Sequence, residues 1–80
     1  MNITSIKKTV DAFTMEQLIQ AEQDLLNDIP LQVDIEGYDE GEKLTHILAA
    51  IFCKHEMEKQ EININQAIRL YSQRVRGSIE

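Results

Sequence analysis

The chain has 80 residues, 42% of them hydrophobic and 28% charged, with a formal net charge of −6 and a single cysteine. A chain this short makes one domain at most and buries only about 60% of its unfolded surface, and one cysteine excludes an internal disulfide and suits a reducing compartment. The acidic balance disfavours direct nucleic-acid binding, because phosphate contacts need a basic surface.

The amino terminus carries Lys7 and Lys8 without an apolar segment or a small-residue cleavage site after them, so no secretory signal is expected. The longest apolar run, Ile47 to Cys53, is far below the roughly 20 residues that cross a bilayer. A cytoplasmic protein with no membrane partner is the expectation. Because a core of this size rarely supplies more than about 3–5 kcal/mol, self-association is the expected additional support.

In chain order, Ile3, Ile6, Val10 and Phe13 recur at steps of three and four and predict a short first helix. Thr14-Met15-Glu16-Gln17 reads as a capping box that opens a second helix. Leu18, Ile19, Leu25 and Leu26 mark its buried side, and Asn27-Asp28-Ile29-Pro30 ends it, since proline disfavours helix in the residue before it. Leu31, Val33 and Ile35 alternate with polar residues over too short a span for a sheet. They predict an extended loop over 30–38 that tucks apolar side chains against helices, with an intermolecular strand pair as the alternative.

A third helix is predicted from Asp39, where Asp39 and Glu42 have capping-box spacing, to about Gln60. Leu44, Ile47, Leu48, Ile51, Phe52 and His55 form one broad stripe, and His46, Ala49, Ala50, Cys53 and Met57 occupy the other side. A helix apolar all round is normally buried all round. The small face of Ala49, Ala50 and Cys53 is therefore expected to meet a second copy. Asn63 and Gln66 open a fourth helix with Ile64, Ala67, Ile68, Tyr71 and Val75 on one stripe and a stop at Gly77. Leu70, off that stripe, joins the expected self-interface. The predicted architecture is all-α: a compact four-helix domain over 1–80, with three long helices, a short N-terminal one and the extended loop.

Charge is unevenly distributed. From Thr9 through Glu42 there are ten acidic residues and no Lys or Arg, while residues 1–8 and 43–80 each carry a balance of +2. Such a segment can steer a basic partner; alternatively it is a solvated acidic face neutralised in part by Arg69, Arg74 and Arg76. Within it Glu22 falls inside the arc of Leu18, Leu25, Leu26 and Ile29. There it is expected either to pair with an arginine of the last helix or with His55, or to sit at an exposed junction.

Catalytic and metal chemistry find little support. His46 and Cys53 share a face of the third helix, but His55 points elsewhere, so the three do not converge. Glu42 and His46 lack the Glu-x-x-His spacing of helical di-iron sites. A lone cysteine on an apolar face reads as a small core residue rather than a nucleophile, and no phosphate loop, nucleophile elbow or zinc-protease motif occurs. No enzyme activity, cofactor, metal or small-molecule substrate is expected.

Two resemblances bear on function. The Leu25-Leu26-Asn27-Asp28-Ile29-Pro30 and Asp39-Glu40-Gly41-Glu42 segments, followed by Ala67-Ile68, Tyr71 and the Arg74-Val75-Arg76-Gly77-Ser78-Ile79-Glu80 ending, resemble a family of short uncharacterised helical proteins from Bacteroidetes. That resemblance implies a helical fold and a bacterial cytosolic setting. Asp11-Ala12-Phe13-Thr14-Met15-Glu16-Gln17-Leu18 is similar to the start of the acidic four-helix immunity proteins that neutralise nuclease bacteriocins. Those proteins bind through a tyrosine pair and acids, and here Tyr38 beside Asp39, Glu40 and Glu42 holds the comparable place. Two classes of function follow: a self-associating accessory protein using Ala49, Ala50, Cys53 and Leu70, or an acidic inhibitor that binds a basic protein through Tyr38, Asp39, Glu40 and Glu42.

Overall fold

The computed structural model describes residues 3–79, and the side chains of residues 3–75. Four helices form: α1 over Ile3–Ala12, α2 over Met15–Leu26, α3 over Glu40–Gln60 and α4 over Ile64–Ile79. No strand occurs among the described residues, so the alternation at 31–35 belongs to an extended loop. α4 runs through Gly77 rather than stopping there.

Local chemistry accounts for the helix ends. Thr14 accepts from the Gln17 amide at 3.2 Å while the Gln17 side chain accepts from the Thr14 amide at 2.9 Å, closing the capping box of α2. Asn63 and Gln66 make the same reciprocal pair at the start of α4, at 2.9 and 3.0 Å. The cap of α3 departs from the pattern. Asp39 accepts from the Glu42 amide at 2.8 Å, but the Glu42 carboxylate accepts from the amide of Tyr38, one residue further back, at 3.3 Å. At its far end α2 closes in a Schellman arrangement, in which the Ile29 amide donates to the Asp24 carbonyl and the Asp28 amide to Leu25. That motif needs a left-handed residue, and Asp28 takes the position at φ 57.

α3 is the axis of the fold: α1, α2 and α4 each pack against it. Its buried residues are His46, Ile47, Ala49, Ala50 and Cys53. The three neighbours thus converge on the small-residue side, where short side chains allow close approach. Ala49, Ala50 and Cys53 have no exposed surface within the single chain. They are core, and the free face they were expected to offer a second copy does not exist. Of the bulkier stripe only Ile47 is fully buried; Ile51 and Phe52 are half-buried against the edge of the core, Leu44 is half-buried, and Leu48 and His55 are exposed.

The rest of the core comes from Ile6 and Val10 of α1, Leu18 and Ala21 of α2, Ile35 of the loop, and Ala67 and Ile68 of α4. Phe52 at the edge of α3 stacks obliquely on Tyr71 of α4 with ring centroids 5.5 Å apart. The Arg74 guanidinium lies 5.5 Å over the same Phe52 ring, a contact worth about 0.5–1 kcal/mol where exposed. Burial, reinforced by the neighbouring Cys53, raises the Tyr71 pKa.

Candidate partner-binding loop

The segment between α2 and α3 sets four acidic residues, Asp28, Asp34, Glu36 and Asp39, beside the one strongly exposed aromatic, Tyr38. Its apolar side chains alternate inward, with Leu31 and Val33 half-buried and Ile35 at 1% exposure, while Gln32, Asp34 and Glu36 point out. Ile35 anchors the loop in the core. Next to it, the Glu36 carbonyl lies 2.7 Å from Nδ1 of the fully buried His46. A carbonyl can only accept, so Nδ1 of His46 carries the proton.

The Glu36 side chain turns the other way and pairs with Lys8 of α1 at 3.4 Å. A hydrogen bond from the Ser5 hydroxyl lowers the Glu36 pKa, with desolvation opposing and the Lys8 charge adding to the drop. Gly37 then passes so close to α3 that a Cβ there would sit 2.8 Å from the Lys43 backbone nitrogen and 3.0 Å from its Cα. Any larger residue would push the loop off the helix.

The chain so pinned presents Tyr38 at 94% exposure, its amide held by Glu42 at 3.3 Å. An exposed aromatic on a backbone fixed from both sides loses little entropy on docking. Of the four residues expected to bind a partner, Tyr38 and Glu40 project freely. Asp39 and Glu42 are engaged in capping α3. Leu70, expected in a self-interface, is half-buried on α4.

Other expectations resolve differently. Glu22 is half-buried, with no hydrogen bond or ion pair among the described residues, and the buried acid of α2 is Asp24 at 3% exposure. Gln20 donates to one Asp24 oxygen at 2.9 Å, and the other oxygen has no partner among the described residues. His55 is exposed and distant from the buried face that holds His46 and Cys53, and no group of three metal-ligating side chains occurs among the described residues. Burial pushes the Cys53 thiol up to about 11, which keeps it protonated and unreactive at neutral pH. Of the arginines expected to neutralise the acidic segment, Arg69 is exposed and Arg74 stacks on Phe52, while the Arg76 side chain lies outside the described residues. Among the described residues no helix is long and apolar enough to cross a membrane.

Residues 1–80 match a family described as a family of unknown function (DUF6952). No curated protein and no solved structure matches the chain. The match fits the expectation of an uncharacterised family.

Proposed function

The chain belongs to DUF6952, a family of unknown function, and on that footing we propose that it is a non-catalytic interaction protein whose working surface is the Tyr38 loop. The observation that carries this reading is a tyrosine 94% exposed on a backbone tied to α1 and α3. A large aromatic in solvent is poorly used unless a partner covers it, and tyrosine is among the residues that dominate binding energy at interfaces. The partner is a basic protein, because Asp34, Glu36, Asp39 and Glu40 all lie exposed around Tyr38. An immunity-type inhibitor of a basic toxin is the specific form this takes, and the cytoplasm is the setting that suits it.

The test is differential capture by the immobilised protein from its native cells. Tyr38→Ala and Asp34→Lys alter the surface without touching a cap. Retained basic proteins that are lost with either variant and eluted by moderate salt support the reading. Retention that both variants leave intact, or that resists salt, overturns it. A second reading, self-association, is favoured by the apolar outer face of α3, where Leu48 is 42% exposed.

A further inference from the structure

The outer face of α3 carries Gly41, Leu44, Leu48, Ile51, His55 and Glu58 at alternating steps of three and four. That spacing keeps one stripe facing a partner helix along a shallow left-handed supercoil. Inside the chain the stripe is only partly covered: Leu48, His55 and Glu58 are exposed, Leu44 is half-buried, and Ile51 is half-buried against the edge of the core. α1, α2 and α4 already occupy the other side of the helix. A single exposed leucine needs no explanation. Three apolar side chains in seam register along the longest helix do.

We propose that this stripe pairs with the same stripe of a second copy, the two α3 helices lying antiparallel across a two-fold axis close to Ile47. The inference rests on the self-association reading and gives it a face and a direction. Charge sets the direction. Glu40 and Lys54 lie two heptads apart on the same edge of the stripe, and neither has an ion-pair partner within the chain among the described residues. In the antiparallel pair Glu40 of each copy faces Lys54 of the partner subunit, and Leu44 meets Leu48 of the partner subunit. A parallel pair would set Lys54 of each copy against Lys59 of the partner subunit, leave Glu40 without a cation opposite, and align the two helix dipoles.

A helix of 21 residues is about 32 Å long, and a seam roughly 10 Å wide gives each copy a few hundred Å² of contact. That is less than the roughly 800 Å² per partner of a standard interface, so the pair is weak and forms with rising concentration.

Sedimentation of the full chain across a concentration series from low micromolar to low millimolar tests this. The expected result is a monomer–dimer equilibrium whose dissociation constant rises more than about tenfold in Leu48→Glu. It should rise roughly five- to tenfold in Glu40→Lys and in Lys54→Glu, and return to near the wild-type value in the double charge swap. The two charge variants change exposed or half-exposed positions and keep the test valid if Leu48→Glu misfolds. A chain that stays monomeric throughout overturns the pair and self-association together. A dimer indifferent to Leu48→Glu overturns the seam but leaves self-association standing. A dimer that the double swap fails to restore overturns the antiparallel direction.

Discussion

Replacing Gly37 by alanine tests whether the Tyr38 loop is held as described. The added Cβ would lie 2.5 Å from Lys43 Cγ, 2.8 Å from its backbone nitrogen and 3.0 Å from its Cα. The Cγ can swing aside. The backbone atoms cannot, because Asp39 caps this turn of α3. Carbon atoms rest in contact at about 3.5–4.0 Å, so the loop must retreat by roughly 0.5–1 Å. That retreat stretches the 2.7 Å contact between the Glu36 carbonyl and His46 past the ordinary limit of about 3.2 Å. Weakening the partner of a fully buried imidazole costs about 1–3 kcal/mol, and the overpacking itself lies in the same range. A loss of about 2 kcal/mol corresponds to a fall in Tm of roughly 8–16 °C for a domain this small. Gly41→Ala is the control, since its Cβ would meet only Asp39 Oδ1 at 3.4 Å, and it should be neutral or stabilising by up to about 1 kcal/mol. Thermal unfolding followed by circular dichroism reads both variants. If Gly37→Ala melts within about 2 °C of Gly41→Ala, the close approach does not hold the loop.

Three further outcomes follow from particular residues. The Cys53 thiol sits at about 11 in the folded chain against an ordinary 9.0, so above pH 9 the unfolded chain sheds a proton that the folded chain keeps. Stability should therefore fall as pH rises, by up to about 1.4 kcal/mol per pH unit, levelling off near pH 11 at a total of roughly 2–3 kcal/mol. Urea unfolding of wild type and Cys53→Ala at several alkaline pH values isolates this loss, and parallel pH curves for the two would refute it. Thr14→Ala removes the hydroxyl that accepts from the Gln17 amide and should cost about 1 kcal/mol in the same assay. Asp28→Gly relieves a left-handed residue at φ 57 and should raise stability by about 1 kcal/mol; a loss instead would show that the Asp28 side chain matters to the turn.

What was legible in the sequence was chiefly local. The caps at Thr14, Asp39 and Asn63 could be read because each depends on a short polar side chain and a partner three residues on. The in-and-out alternation of Leu31, Val33 and Ile35 was readable for the same reason. The side of α3 that turns inward was not. Both faces are apolar, and bulk argued for Leu44, Leu48 and Phe52, yet three helices closing on one axis need close approach, which Ala49, Ala50 and Cys53 permit.

In α2 the sequence left Glu22 between a buried pair and an exposed junction, and did not show that the acid nearest the core is Asp24. Leu18 and Leu25 point toward Glu22, but Ala21, a small core residue at 2% exposure, turns the buried arc toward Asp24. Gly77 is a poor helix former rather than an obligatory stop, and α4 passes through it. In the loop, the acids and Tyr38 were visible as a charge pattern. The features that fix them, the Gly37 contact with Lys43 and the Glu36 bond to His46, join residues six and ten positions apart. Both arise only once α3 is placed.

Whether Tyr38 is the contact point for a basic protein can be read by photo-cross-linking in the native cells. A photoreactive phenylalanine analogue would replace Tyr38 in one variant and the exposed Gln23 of α2 in another. A discrete adduct with a basic protein is expected from position 38 and none from position 23. No adduct at 38, or the same adducts from both positions, would contradict it.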